Sequence, residues 1–380
     1  MSVWTDWWAQ EHASREEAGL VRTLRPRGAD DPTIDLAGND YLGLARDPAV
    51  TRAAATAALQ WGAGAGASRL VTGTLAVHEE LEQTLARDLG QPAALVTSTG
   101  YHANLAVVAA LADRGTRVVS DAHVHASLVD GVRLSRARLT IVPHGDVDAV
   151  ACALRDAEHA GERALVLVES VYSVLGDAAP LVELAGLCER HGGLLVVDEA
   201  HGLGVHGPGL VARLGLAGLD HVVVTATLSK ALGSQGGAVL GPAALREHLV
   251  NRGRAFVFDT GLAPASAAGA LAAQHEVRRR PDLAATVHRR VGELAAALDV
   301  AALDVAVPAG AVLSVPMPSP HAAVAAQAAA LDAGVRVGCV RPPSVPDGVS
   351  RLRVTASAGV ADDDWSRALA VLVDVVGTFQ

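Results

Sequence analysis

The stretch His221-Val-Val-Val-Thr-Ala-Thr-Leu-Ser-Lys-Ala-Leu-Gly-Ser-Gln-Gly-Gly-Ala-Val-Leu240 decides how the chain is read. Its apolar run, Val222 to Val224, has the character of a buried strand, and Thr227-Leu-Ser-Lys230 follows where a parallel strand would end. Active residues in open α/β sheets gather at such carboxyl ends. Lys230 is also the only lysine among 31 basic residues, every other being arginine. A guanidinium serves for solvation, ion pairs and anion clamping, but it cannot lose its proton and attack a carbonyl to form a Schiff base. Two readings stand at this point: a lysine kept for imine chemistry, or a single lysine left by arginine-rich coding.

Outward from this stretch, helical segments alternate with short aliphatic runs: Ala94 to Thr97, Arg117 to Ser120, Leu139 to Val142, Ala164 to Glu169, Leu194 to Asp198, Val222 to Ala226 and Ala238 to Leu240. That alternation predicts an α/β fold with a mainly parallel sheet and helices on both faces. After Pro264 the chain becomes alanine-rich helix, and Val312 to Val315, Val335 to Cys339 and Arg351 to Thr355 predict a smaller sheet. The expected organisation is an N-terminal arm over residues 1–45, a large domain over 46–255 and a smaller C-terminal α/β domain over 256–380. Residues 1–27 predict an amphipathic helix, with Trp4, Trp7 and Trp8 on one face against the body or a partner chain.

Composition narrows the function. A length of 380 residues supports a sizeable core, and with only 3% aromatic residues that core is built from Ala, Val and Leu. The net charge of −10 excludes an electrostatic nucleic-acid surface. Cys152, Cys188 and Cys339 stand far apart, which fits a reducing cytoplasm and gives no zinc site. No signal peptide and no membrane span are expected.

Several segments carry chemistry. Gly62-Ala-Gly-Ala-Gly-Ala67 fits a dinucleotide fingerprint, but Thr51 to Trp61 before it predicts helix where the fingerprint needs a strand, so a flexible loop is favoured over a nicotinamide enzyme. Val196-Val-Asp-Glu-Ala-His201 looks like an acidic Mg²⁺ box, yet no phosphate-binding loop accompanies it. What remains is Asp198 at a strand end, able to hold the proton of a pyridinium such as that of pyridoxal phosphate, with His201 three residues on. An acidic loop with a solvated histidine is the alternative. Thr97-Ser-Thr-Gly-Tyr-His-Ala-Asn104 offers Gly100 and a helix N-terminus to an anion, or is an ordinary capped helix start. His123 and His125, two apart after a strand, are metal ligands lacking a third partner, an imidazole stacked on a flat ring, or surface histidines.

Taken in order, Asn39-Asp-Tyr-Leu-Gly-Leu44, Thr99-Gly-Tyr101, His125-Ala-Ser127, Asp198-Glu-Ala-His-Gly202, Thr227-Leu-Ser-Lys230 and Arg351-Leu-Arg353 resemble the α-oxoamine synthases, a pyridoxal-phosphate family of the aspartate-aminotransferase fold, PLP fold type I. The resemblance spans nearly the whole chain. It implies Lys230 as the Schiff-base lysine and general base, Asp198 on the pyridine nitrogen, His201 on the phenolic oxygen and His125 stacked on the ring. Gly100, Tyr101, Ser173 and Thr227 would complete the cofactor site, and Arg22, Asn39, His125, Ser344 and Arg353 would bind substrate, with Arg353 clamping a carboxylate. No metal is implied. Gly19-Leu-Val-Arg22 and Val340-Arg-Pro-Pro-Ser-Val-Pro346 point to members that join L-alanine to a pimeloyl thioester on coenzyme A or acyl carrier protein, as cytoplasmic homodimers. The rivals within the family keep this chemistry and change the substrate, or keep the fold as a non-catalytic subunit. Two departures bear on thioester recognition: Ser173-Val-Leu-Gly-Asp177 lacks the first acid of the common Ser-Met-Asp-Gly-Asp, and Ala356-Ser-Ala-Gly359 lacks the common histidine.

Overall fold

Side chains on a strand alternate between faces, so a run that is apolar throughout can be buried on both. The computed structural model, which describes residues 2–300 and 308–379, turns each such run into a strand. In chain order these are β1 (Ile34–Leu36), β2 (Ala93–Thr97), β3 (Thr116–Asp121), β4 (Arg138–Val142), β5 (Arg163–Glu169), β6 (Leu194–Asp198), β7 (Val222–Thr227), β8 (Gly237–Gly241), β9 (Val312–Pro316), β10 (Val335–Val340) and β11 (Arg351–Thr355). On β5, Leu165 and Leu167 join one apolar cluster while Val166 and Val168 join the other, across the sheet.

Seven strands form one sheet in the order β2-β8-β7-β6-β5-β3-β4, parallel except for β8, which runs antiparallel to both neighbours. From β3 the chain goes outward to β4, then returns to β5 and proceeds the other way through β6 and β7. The order therefore reverses between β3 and β5, and a crevice opens at their carboxyl ends. Register sets side by side the residues that face it: Glu169 of β5 pairs with Asp198 of β6, and Asp198 pairs with Thr225 of β7.

Four strands form a second sheet, β1-β10-β11-β9. Sequence patterning anticipates β9, β10 and β11 but not β1, which is three residues long in a stretch rich in Gly and Asp. It becomes a strand because Ile34 and Leu36 pair in parallel with Val335 and Val337 and are buried there.

The N-terminal helix is shorter than expected and covers nothing. It spans Val3–Glu17 with no buried residue, and Trp4, Trp7 and Trp8 are 64%, 48% and 60% exposed, so of the two expected packings, on the body or on a partner chain, the one on the body is absent. Gly19, at φ +67°, ends it in the left-handed conformation. The segment beyond is held to the body by Arg341, whose guanidinium donates to the carbonyls of Gly19 and Val21. Among the described residues no helix is long and apolar enough to cross a membrane.

Candidate active site

At the crevice, a cavity of about 230 Å³ is lined by the strand-end residues Glu169, Asp198 and Thr227, by Lys230 and His201 on the loops that follow, and by Gly100, Tyr101, Asn104, His125 and Ser127 from two helix starts. Thr99 caps the helix Gly100–Leu111 by accepting from the His102 N–H, and His125 caps the helix Ala126–Ser135. The first of these helices approaches β7 so closely that a Cβ at Gly100 would lie 2.9 Å from Thr227 Cβ. Only glycine fits there.

The polar groups are locked together. Lys230 Nζ lies 2.7 Å from His201 Nε2, and His201 Nδ1 lies 2.7 Å from the Tyr41 hydroxyl. Asp198 accepts from Asn104 Nδ2 at 2.7 Å and from the Ala200 N–H at 2.8 Å. Asn104 also accepts from Thr225 Oγ1 and donates to Ser127 Oγ, which meets His125 Nδ1 at 2.7 Å. Such a network fixes rotamers, because each buried group that lost its partner would go unsatisfied.

Burial governs the charges. It pushes the Lys230 amine down to about 8, against the pull of Asp198 and Glu169. Burial, reinforced by Lys230 and Arg353, holds His201 well below the usual histidine range, and burial also lowers His125. Burial and the charge of Asp198 lift Glu169 to about 8. The cavity thus presents a lysine able to give up its proton, neutral imidazoles and a carboxyl able to keep one at neutral pH.

A second cavity of about 410 Å³ opens outward from the first and shares Lys230, His201 and His125 with it. Its other walls come from Asn39, Ser344 and Arg353, from His123, and from Tyr172 to Leu175. Arg353 donates to the Ser173 carbonyl at 2.7 Å and to Asn39 Oδ1 at 3.1 and 3.2 Å, which aims its guanidinium along this wall. Arg22 reaches the rim by donating to Ser344 Oγ at 2.9 Å.

Of the residues singled out in the sequence, Gly100, Tyr101, His125, Asp198, His201, Thr227 and Lys230 meet at the inner cavity. Asn39, Ser344 and Arg353 meet at the outer one with His125, and Arg22 joins through Ser344. Ser173 lines the outer cavity only, its N–H donating to Glu169 and its carbonyl accepting from Arg353. Sequence reasoning passed over Tyr41, Asn104, Ser127, Glu169 and Thr225. Glu169 had a signal, since it ends its strand as Asp198 does, and Asn104 is a polar side chain directly before the apolar run Leu105 to Leu111 of its helix.

The model of the family "Aminotransferase class I and II" matches residues 31–372. The chain belongs to the class I and II aminotransferase family. Within it, the chain is 53% identical to an 8-amino-7-oxononanoate synthase of Mycobacterium avium, over 97% of this chain and 96% of that protein. It is 52% identical to one of Mycolicibacterium smegmatis, over 98% and 97%. Among solved structures it is similar to a serine palmitoyltransferase of Sphingomonas wittichii, with TM-score 0.89, 29% identity and coverage of 99% and 98%. It is also similar to a serine palmitoyltransferase from S. paucimobilis with bound PLP–myriocin aldimine, with TM-score 0.90, 28% identity and coverage of 99% and 98%. The architecture is the aspartate-aminotransferase-like fold type I, as the motif order implied.

Proposed function

We propose that this chain is a pyridoxal-phosphate-dependent acyltransferase that joins L-alanine to a pimeloyl thioester, releasing carbon dioxide and the thiol, which is the 8-amino-7-oxononanoate synthase reaction of biotin biosynthesis. One observation carries the chemistry: the chain's only lysine sits with its amine against His201, where a cavity floored by Asp198 meets a cavity walled by Arg353. The 52–53% identity to 8-amino-7-oxononanoate synthases over nearly the full length supports the substrates.

The inner cavity fits the cofactor. Asp198 has a carboxylate oriented by two donors and suits the proton of a pyridine nitrogen, while His125 offers a flat ring and His201 a neutral imidazole toward a phenolic oxygen. Thr227 and Ser229, with hydroxyl oxygens 2.8 Å apart beside the N-terminus of the helix Gly100–Leu111, suit a phosphate. When bound, pyridoxal phosphate supplies an aldehyde that captures amines and a ring that takes up the electrons left when a bond to the amino acid's α-carbon breaks.

The residues then divide the work. Arg353 binds the alanine carboxylate, with Asn39 fixing the guanidinium plane. The Lys230 amine takes the α-proton, a role its lowered affinity for protons allows. His201, between Lys230 and Tyr41, keeps that amine in place. The outer cavity receives the acyl chain, and Arg22 and Ser344 at its rim meet the carrier. Trp4, Trp7 and Trp8, left exposed, support a homodimer in which partner contacts cover them, and three unpaired cysteines support the cytoplasm.

The test offers the purified holoenzyme alanine, glycine or serine with pimeloyl, acetyl, succinyl or palmitoyl thioesters on coenzyme A, and pimeloyl on acyl carrier protein as well. Turnover greatest with alanine and pimeloyl is expected. Preference for glycine, or for a palmitoyl chain, would overturn the assignment.

A further inference from the structure

His144 lies outside both cavities and has no part in the chemistry above, yet its surroundings are those of a structural cation. Its Nδ1 lies 3.0 and 3.1 Å from the two oxygens of Asp121, and its Nε2 lies 2.8 Å from Asp177 Oδ2. Both ring nitrogens therefore face carboxylates, and only the imidazolium can donate to both at once. Burial opposes the proton, but Asp121 and Asp177 outweigh it and push His144 up to about 10. The remaining neighbours are the Tyr172 ring, edge-on at 4.4 Å, and the His123 ring at 4.8 Å, with Asp347 and Arg351 beyond His123.

Each carboxylate belongs to a different wall of the outer cavity. Asp121 ends β3 and organises the turn bearing His123 and His125, accepting from the His123 N–H at 2.7 Å and from the Gly145 N–H at 2.9 Å. Asp177 closes the loop bearing Tyr172, Ser173, Val174 and Leu175, its carbonyl accepting from the Tyr172 N–H at 2.9 Å. We propose that His144 is a positioning residue that ties these two walls together and so sets the width of the acyl cavity. Without its charge one ring nitrogen has no proton to donate, and the two carboxylates repel across the ring. Ser173, whose carbonyl aims Arg353, moves with the loop. The inner cavity takes none of its hydrogen bonds from this bridge.

This inference rests on the outer cavity receiving the pimeloyl thioester. The test compares holoenzyme of wild type, His144→Gln, Asp177→Asn and the double variant. It measures pimeloyl-CoA affinity by calorimetry, KM for each substrate, kcat, and the visible absorbance of the bound cofactor. Glutamine cannot donate to both carboxylates through a rigid ring, so each single variant should weaken thioester binding and raise its KM about tenfold, the scale of one charge-assisted hydrogen bond. Alanine KM should rise by less than thioester KM, because Asn39 still holds the Arg353 guanidinium when the Ser173 carbonyl shifts, kcat and absorbance should stay within about twofold, and the double variant should be no worse than His144→Gln alone. Unchanged thioester affinity, additive losses, or alanine KM and absorbance shifting as much as thioester KM would each overturn the proposal. Asp177, with its side chain 46% exposed, gives a variant that folds even where His144→Gln does not. Wild type that fails to bind pimeloyl-CoA would instead sink the substrate assignment.

Discussion

The inner and outer cavities share three residues and differ in how the rest of their walls are made. The inner one is floored by the ends of three adjacent parallel strands, β5, β6 and β7, so backbone register alone brings Glu169, Asp198 and Thr225 into line. The outer one is assembled across the chain: Asn39 and the Arg353 that binds it lie 314 residues apart. Strand ends give fixed chemistry, whereas loops gathered from distant segments give a cavity that can change its substrate while the floor stays the same.

Variants sharpen that contrast. At the floor, Lys230→Ala should lower turnover by about 10³-fold or more, since both amine capture and proton removal are lost. In the wild type borohydride should fix the cofactor mass on the Lys230 peptide, and holoenzyme in which that peptide stays unlabelled would break the assignment. Asp198→Asn should reduce product formation by roughly 10²-fold, the scale for losing one electrostatic partner of the reacting group, and full activity would place the ring-nitrogen contact elsewhere. On the outer wall, Arg353→Ala should act through binding, raising alanine KM about 30-fold, or about 2 kcal/mol, for a truncated buried charge. A fall in kcat alone would move Arg353 to the floor's chemistry.

pH reports on the floor directly. Because burial brings Lys230 down to about 8, uptake of pyridoxal phosphate by the apoenzyme should accelerate as pH rises through about 8 and level off above it. Stopped-flow absorbance follows this, and a midpoint near the ordinary lysine value of 10.5 would mean a solvated amine. The smallest effect belongs to the rim: Arg22→Ala removes one exposed hydrogen bond and should raise thioester KM only a few-fold.

What a single sequence reveals follows the same division. All seven strands of the large sheet are foreshadowed within about two residues: the largely exposed edge strand β4 because of its β-branched Thr140, Ile141 and Val142, and the central β5, β6 and β7 because burial on both faces demands nearly unbroken aliphatic runs. Lys230, Asp198 and Thr227 are visible as strand-end residues for the same reason. β1 is not, since three residues carry too little pattern and its partner is Val335 to Val337. His144 leaves no local trace either, because its meaning lies in two carboxylates from separate segments. The tryptophan face is legible as a stripe, but of its two expected coverings, the body and a partner chain, the body supplies none: periodicity shows which residues point together, never what they point at.

The pairing of Ile34 with Val335 also orders events during synthesis. The large sheet is complete once Gly241 has left the ribosome, whereas the second sheet must wait for Thr355. A nascent chain can therefore hold the lysine-bearing floor in nearly final form while its N-terminal segment is still unattached. Competence to accept an acyl donor arrives last, with the final thirty residues, so a chain cut short before β11 keeps the reactive amine without the wall that selects what reaches it.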